Sequence, residues 1–261
     1  MCHAEGPAAP LPAGVVCDTL RIPLPGGAAL PAVLLRSGAA GGPAVLLVHD
    51  MFGATPFYQQ LGGRLAAAGY RVLLPELFHR EGPLPALTRE AAYARWRQFD
   101  ERRALEELQA ALDWLAAQGG AAASGRLGTM GFCLGGTLVL DLAALRRDLA
   151  TVCFYGFPAA GAHTHARSAP APLELADRLQ GPILGFWGDQ DEPVGFANVV
   201  RLRDELLRHG VDFECVVYPG VGHAFMGAPI VAPTAASEAA AADAWTRTLA
   251  FYARHLRQGA G

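Results

Sequence analysis

The sequence predicts an α/β fold: a mostly parallel, twisted sheet with an antiparallel N-terminal edge and helices on both faces. Three observations predict it. Strand-like and helix-like segments alternate from about residue 43 onward, the pattern of right-handed βαβ units. The strand-like segments are unbroken apolar runs, such as Pro-Ala-Val-Leu-Leu-Val-His at 43–49, as expected of strands covered on both faces. The overall content, 52% hydrophobic and 17% charged, suits a sheet buried in this way. A chain of 261 residues allows one large α/β domain or two small ones. No linker separates two halves, so residues 15–261 are expected to form a single domain behind a loose Pro/Ala/Gly-rich segment, residues 1–14.

Taken in order, Val15 to Pro23 and Ala28 to Arg36, joined by Pro25-Gly26-Gly27, predict a β-hairpin that supplies the antiparallel edge. Pro43 to His49 reads as a buried parallel strand, Thr55 to Ala68 as a helix and Tyr70 to Pro75 as the next strand. Thr88 to Gln118 reads as helical throughout, as two helices meeting near Asp100. Arg126 to Met130 is a strand and Thr137 to Leu145 a helix, with a glycine-rich turn between them. Ala150 to Tyr155 is a strand, followed by a loop from Gly156 to Pro172. Pro182 to Trp187, Gly195 to His209, Asp212 to Tyr218 and Ser237 to Arg257 read as strand, helix, strand and closing helix. There are no internal repeats.

Composition narrows the function. A net charge of −3 makes no electrostatic case for nucleic acid or an anionic membrane. No apolar run approaches the ~20 residues of a membrane span, and the N-terminus lacks a basic region followed by an apolar core, so no secretory signal is expected. Five scattered cysteines argue against a disulfide framework and for a reducing cytoplasm.

The chain is organised around Gly131-Phe132-Cys133-Leu134-Gly135-Gly136, a G-x-C-x-G-G turn between a strand and a helix. A strand that reverses sharply into a helix strains the residue at the turn, and a Cβ beside it would clash. This is a nucleophile elbow of the α/β-hydrolase type with cysteine in the serine slot. The helix N-terminus beneath it favours an anion. In open α/β sheets, ligand sites form outside the carboxyl ends of strands, and other strand ends also carry chemistry: His49-Asp50-Met51-Phe52-Gly53, Trp187-Gly188-Asp189-Gln190-Asp191 and Gly220-Val221-Gly222-His223. Nucleophile, acid and histidine follow one another as in hydrolase triads, as Cys133, Asp191, His223. A free thiol of pKa ~8.5 is only about 3% thiolate at pH 7, so it needs His223 as base. The acid then orients the imidazole from its far side. The Leu134 N–H and that of Met51 are the expected oxyanion hole.

On these residues the chain resembles the dienelactone hydrolases (carboxymethylenebutenolidases), from about residue 15 to the C-terminal helix. The markers are the Cys133 elbow, Gly188-x-x-Asp191, Gly222-His223-x-Phe225, Phe52-Gly53 and Tyr93-x-x-Trp96-x-x-Phe99-Asp100, which is similar to the helix bordering the family's active site. Family members hydrolyse the lactone ring of dienelactone to maleylacetate with a Cys-His-Asp triad and no metal. The resemblance implies Cys133, Asp191 and His223 as that triad and no cofactor. It also implies Arg89, Tyr93 and Trp96 at the substrate. The chain departs from the family's pattern in two places. Asp50 stands where the family commonly has a glutamate that contacts the resting thiol. Met226-Gly227 stands where the second of two carboxylate-binding arginines would fall, the first matching Arg89.

Other readings stand beside these. Asp189 competes with Asp191 for the acid, its alternative being a loop cap or a solvated charge. Asp50 either caps the turn after it or gates the thiol. His49 reads as a structural group of the oxyanion loop. Cys153 and Cys215 read as core, while Cys2 and Cys17 have no nameable partners. Tyr93, Trp96 and Phe99 at helical spacing fit a core stripe as well as a substrate wall. Arg95, Arg97, Arg102 and Arg103 alternate with acids and read as a solvated helix face. His163 and His165 have metal-like spacing but no third ligand near them in sequence, and read as exposed loop residues. The expected activity is hydrolysis of small esters or lactones through an acyl-cysteine, by a monomer or small homo-oligomer. A non-hydrolytic thiol-reactive or redox-sensing protein on the same fold, or an acyltransferase, is the competing reading.

Overall fold

The computed structural model describes residues 10–38, 42–120, 125–160 and 167–257. The strands β1 (Val15–Pro23), β2 (Ala29–Ser37), β3 (Ala44–Val48), β4 (Arg71–Pro75), β5 (Leu127–Phe132), β6 (Leu149–Phe154), β7 (Ile183–Gly188) and β8 (Phe213–Tyr218) make one eight-stranded sheet. Their order is β1-β2-β4-β3-β5-β6-β7-β8. β1 and β2 form the expected hairpin, and β2 pairs antiparallel with β4. From β4 to β8 every pairing is parallel.

Every residue of β3, β5, β6 and β7 is buried. Successive side chains of a strand point to opposite faces, so full burial means that both faces are covered. The covering helices are α1 (Pro56–Ala67), α2 (Arg89–Trp96), α3 (Glu101–Leu115), α4 (Leu134–Leu145), α5 (Phe196–Arg208), α6 (Ala228–Val231) and α7 (Ala235–Tyr252). Among the described residues no helix is long and apolar enough to cross a membrane.

The helical run over 88–118 is interrupted where a second N-cap appears. Thr88 caps α2 by accepting the Ala91 N–H, and Asp100 caps α3 by accepting the N–H groups of Arg102 and Arg103, each satisfying donors that the first turn leaves open. α4 begins directly after Cys133, three residues before the expected start, because the elbow leaves no intervening loop. The short α6 was not foreseen. Of the segment expected to be loose, residues 1–9 lie outside the described residues, as do Cys2, His163 and His165. Leu11 packs at the edge of the core, and a Cβ on Gly63 of α1 would meet it at 2.9 Å.

Candidate active site

The turn after β5 shows why its sequence is so glycine-rich. Cys133 has φ 55° and ψ −116°, a left-handed conformation that costs a non-glycine residue roughly 1–3 kcal/mol. It is held by close packing of the glycines around it. A Cβ on Gly131 would lie 2.0 Å from the Gly135 carbonyl oxygen, and one on Gly135 only 2.3 Å from that of Val48. A Cβ on Gly136 would meet the Phe154 oxygen at 2.6 Å. The elbow is thus pressed between the ends of β3 and β6, and Cys133 donates its N–H to the Phe154 carbonyl at 3.0 Å. Cys133 is 2% exposed. Leu134 opens α4, so its N–H belongs to the first turn, whose donors have no intrahelical acceptor.

β7 and β8 are neighbours, which brings the loops after them together. A Cβ on Gly188 would lie 1.9 Å from the Val221 carbonyl oxygen, and that oxygen accepts the Gln190 N–H at 3.0 Å. Asp189 accepts the Gly220 N–H at 2.7 Å. Asp191 faces the imidazole instead: His223 Nδ1 and Asp191 Oδ2 are 2.8 Å apart, with Asp191 buried. The other Asp191 oxygen accepts the Val194 N–H at 3.2 Å. The two aspartates therefore have separate tasks, one fastening the histidine loop and one meeting the ring. An ion pair or charge-assisted hydrogen bond shielded from water in this way is stronger than its exposed counterpart.

Aromatic rings enclose the imidazole. Tyr155, itself at φ 40°, lies edge-on to His223 at 5.1 Å, and Phe157 lies 5.6 Å away. Phe157 continues to Trp96 (6.1 Å) and Trp96 to Tyr93 (6.1 Å, nearly parallel). Thr137 Oγ1 accepts the Phe157 N–H at 2.9 Å, so α4 also holds the wall. At the far end of this wall lies a cleft of about 620 Å³ lined by Glu90, Tyr93, Arg97, Glu192 and Pro193. Trp96 and Phe99 are buried, while Tyr93 is 36% exposed, so the stripe is part core and part cleft wall. Arg89 is exposed at the start of α2. Met226 is buried.

The loop after β3 is braced on all sides. Asp50 Oδ1 accepts the Phe52 N–H at 2.8 Å, a turn cap. The Leu77 N–H points at His49 Nε2 (3.0 Å), so that nitrogen offers its lone pair. Nδ1 then carries the proton and donates to the Asp50 carbonyl at 2.7 Å. Glu76 accepts the N–H groups of Ala54 and Phe78, each at 3.1 Å. Burial alone would push the Glu76 carboxyl up, but the His49 ring and these two backbone donors reverse that and hold it at about 2.

Arg95 departs from the expectation of a solvated helix face. It is buried, 8% exposed, because Ala92, Arg95 and Trp96 share one face of α2 at i, i+3, i+4 spacing. That periodicity was readable, but the charge disguised it. Glu76, Tyr155, Phe157 and Thr137 had no motif to announce them. Cys153 is buried, and burial pushes its thiol well up. Cys215 is half-buried and pushed to about 11, and Cys17 is exposed.

Comparison with known proteins agrees with this architecture. The family model "Dienelactone hydrolase family" matches residues 30–256. A carboxymethylenebutenolidase from Rhodococcus opacus is 34% identical over 259 residues, 99% of each chain. A putative carboxymethylenebutenolidase from Salmonella typhimurium is 32% identical over 235 residues, 87% of this chain and 83% of that one. Among solved structures, a putative dienelactone hydrolase from Klebsiella pneumoniae superposes with a TM-score of 0.82 at 30% identity, covering 92% of this chain and 99% of that one. The chain belongs to the dienelactone hydrolase family and is a dienelactone hydrolase-like hydrolase.

Proposed function

We propose that the protein hydrolyses small carboxylic esters and lactones through an acyl-cysteine at Cys133, without a cofactor, in the cytoplasm. The observation that carries this reading is the 2.8 Å contact between His223 Nδ1 and the buried Asp191. It fixes the ring's proton on Nδ1 and so leaves Nε2 basic. In the proposed cycle His223 Nε2 takes the Cys133 proton and the thiolate adds to the acyl carbon. The carbonyl π pair moves onto oxygen, where the N–H groups of Leu134 and Met51 hold the charge. Collapse breaks the C–O bond, and His223 returns the proton to the departing alkoxide. Water, deprotonated by the same ring, adds to the thioester. Collapse then releases the acid and restores the thiol.

The relatives' name, carboxymethylenebutenolidase, supports a lactone among the substrates. Arg89 stands exposed at the cleft's helix and Met226-Gly227 stands where a second cation would fall, which supports neutral esters and lactones over carboxylate-bearing ones. The test is p-nitrophenyl acetate turnover by wild type, Cys133→Ala and His223→Ala. Turnover lost in both variants supports the reading. A single burst without turnover by wild type would favour a thiol-reactive sensor, and full activity in Cys133→Ala would remove the nucleophile.

A further inference from the structure

The hydrogen bonds around Met51 divide the work of orienting one N–H among several groups. The carbonyl of the Asp50–Met51 peptide accepts from His49 Nδ1 at 2.7 Å and from the Gly53 N–H at 3.2 Å. The Met51–Phe52 peptide is held at both ends. Its N–H goes to Asp50 Oδ1 at 2.8 Å, and its carbonyl accepts from Arg95 Nη2 at 2.9 Å. Both peptide planes flanking Met51 are therefore pinned, and the Met51 N–H is the donor of the pair that this network leaves for something else.

Arg95 is the one member that comes from outside the loop. Its Nη1 donates to the Gly82 carbonyl at 3.2 Å, and its guanidinium carbon lies 4.0 Å over the centre of the Phe78 ring. Burial pulls its pKa down, and the carboxylates of Glu76, Glu81 and Asp50 oppose that. A Cβ on Gly53 would sit 3.3 Å from both Glu76 oxygens and 3.6 Å from Arg95 Nη2, so the loop passes close over this pair. A planar fork with several donors suits this position better than a flexible ammonium.

We infer that Arg95 is a positioning residue for the reaction: by holding the Met51 carbonyl from α2, it aims the Met51 N–H at the oxyanion. This rests on the hydrolase reading above. The alignment matters only once a tetrahedral oxyanion forms, since alkylation of the thiol creates no such charge. The two events therefore separate the proposed role from a general structural one.

The experiment compares wild type, Arg95→Met and Arg95→Lys for p-nitrophenyl acetate kinetics, for the rate of Cys133 alkylation by iodoacetamide, and for inhibition by a trifluoromethyl ketone that forms a tetrahedral adduct. In Arg95→Met, kcat should fall about 10–100-fold, below the full loss of one oxyanion donor. KM should stay within about threefold and alkylation within about twofold, while the ketone's Ki rises in step with the loss in kcat/KM. Arg95→Lys, which keeps the charge and one donor, should recover part of the loss. The inference is overturned by kcat within twofold of wild type in Arg95→Met, or by turnover and alkylation falling together. Should Arg95→Met fail to fold, the same measurements on Arg95→Lys decide: a fall in kcat at unchanged alkylation supports the role, and an unchanged kcat refutes it. A wild type that turns over no ester sinks the hydrolase reading itself, which is a different failure.

Discussion

Asp191→Asn exchanges one oxygen for an NH2 group and leaves the side chain's shape intact. The structure determines which way the amide must sit. Asp191 Oδ1 accepts the Val194 N–H at 3.2 Å, so the amide oxygen takes that position and the NH2 turns toward His223, 2.8 Å away at the other oxygen. Two donors cannot face each other, so His223 Nδ1 must give up its proton and accept from the amide. The proton then sits on Nε2, where the ring can no longer take one from the thiol. In serine-protease triads the same exchange lowers kcat by about 10⁴, through the wrong tautomer. At 1.36 kcal/mol per tenfold this is about 5 kcal/mol of transition-state stabilisation. The reverse amide orientation would leave the buried Val194 N–H facing an NH2 group, at a cost of about 1–3 kcal/mol. That cost is roughly 5–150-fold in rate, and the lost carboxylate charge behind the imidazolium adds to it, so neither orientation restores full activity. The assay is steady-state hydrolysis of an aryl ester, with thermal unfolding as a control for folding. Activity within tenfold of wild type in a well-folded Asp191→Asn protein would refute the reasoning.

Two further outcomes are expected. Gly135→Ala places a methyl group 2.3 Å from the Val48 oxygen and 2.5 Å from that of His49. Both are backbone atoms, so β3 and α4 must separate. A cost of about 3 kcal/mol and a Tm several degrees lower should appear in a melting curve, together with loss of turnover, whereas an unchanged Tm with full activity would show that the elbow can relax. Glu76 has a carboxyl held at about 2 in the fold, against an ordinary 4.5. The unfolded chain therefore binds the proton more readily between those values. The stability contributed by Glu76 is complete above pH 4.5 and is lost as pH falls toward 2. Urea unfolding of Glu76→Gln should lose less stability between pH 6 and pH 3 than wild type does, and an equal loss would remove Glu76 from the acid response.

The order of elements, the parallel core and the antiparallel edge were legible because each follows from local rules. Apolar runs without alternation mark strands covered on both faces, Thr88 and Asp100 are cap residues, and the glycines of the elbow mark a turn that tolerates no Cβ. The candidate nucleophile and histidine stood out for the same local reason, each flanked by glycines at a strand end. Element ends and the short α6 were less legible, since they depend on what packs against them.

What the linear chain determined was which side chains lie at the carboxyl ends of the strands. It could not determine which of them meet. Asp189 and Asp191 are two residues apart in one loop, and only the pairing of β7 with β8, which lays the Val221 carbonyl against Gly188, turns one toward Gly220 and the other toward His223. Arg95 reads as one charge among many on a helix, and its burial was decided by the loop carbonyls and the Phe78 ring that α2 comes to rest on. Hydrogen bonds between distant segments depend on separations of a few ångströms that sequence spacing does not encode. The closing of the sheet sets those separations.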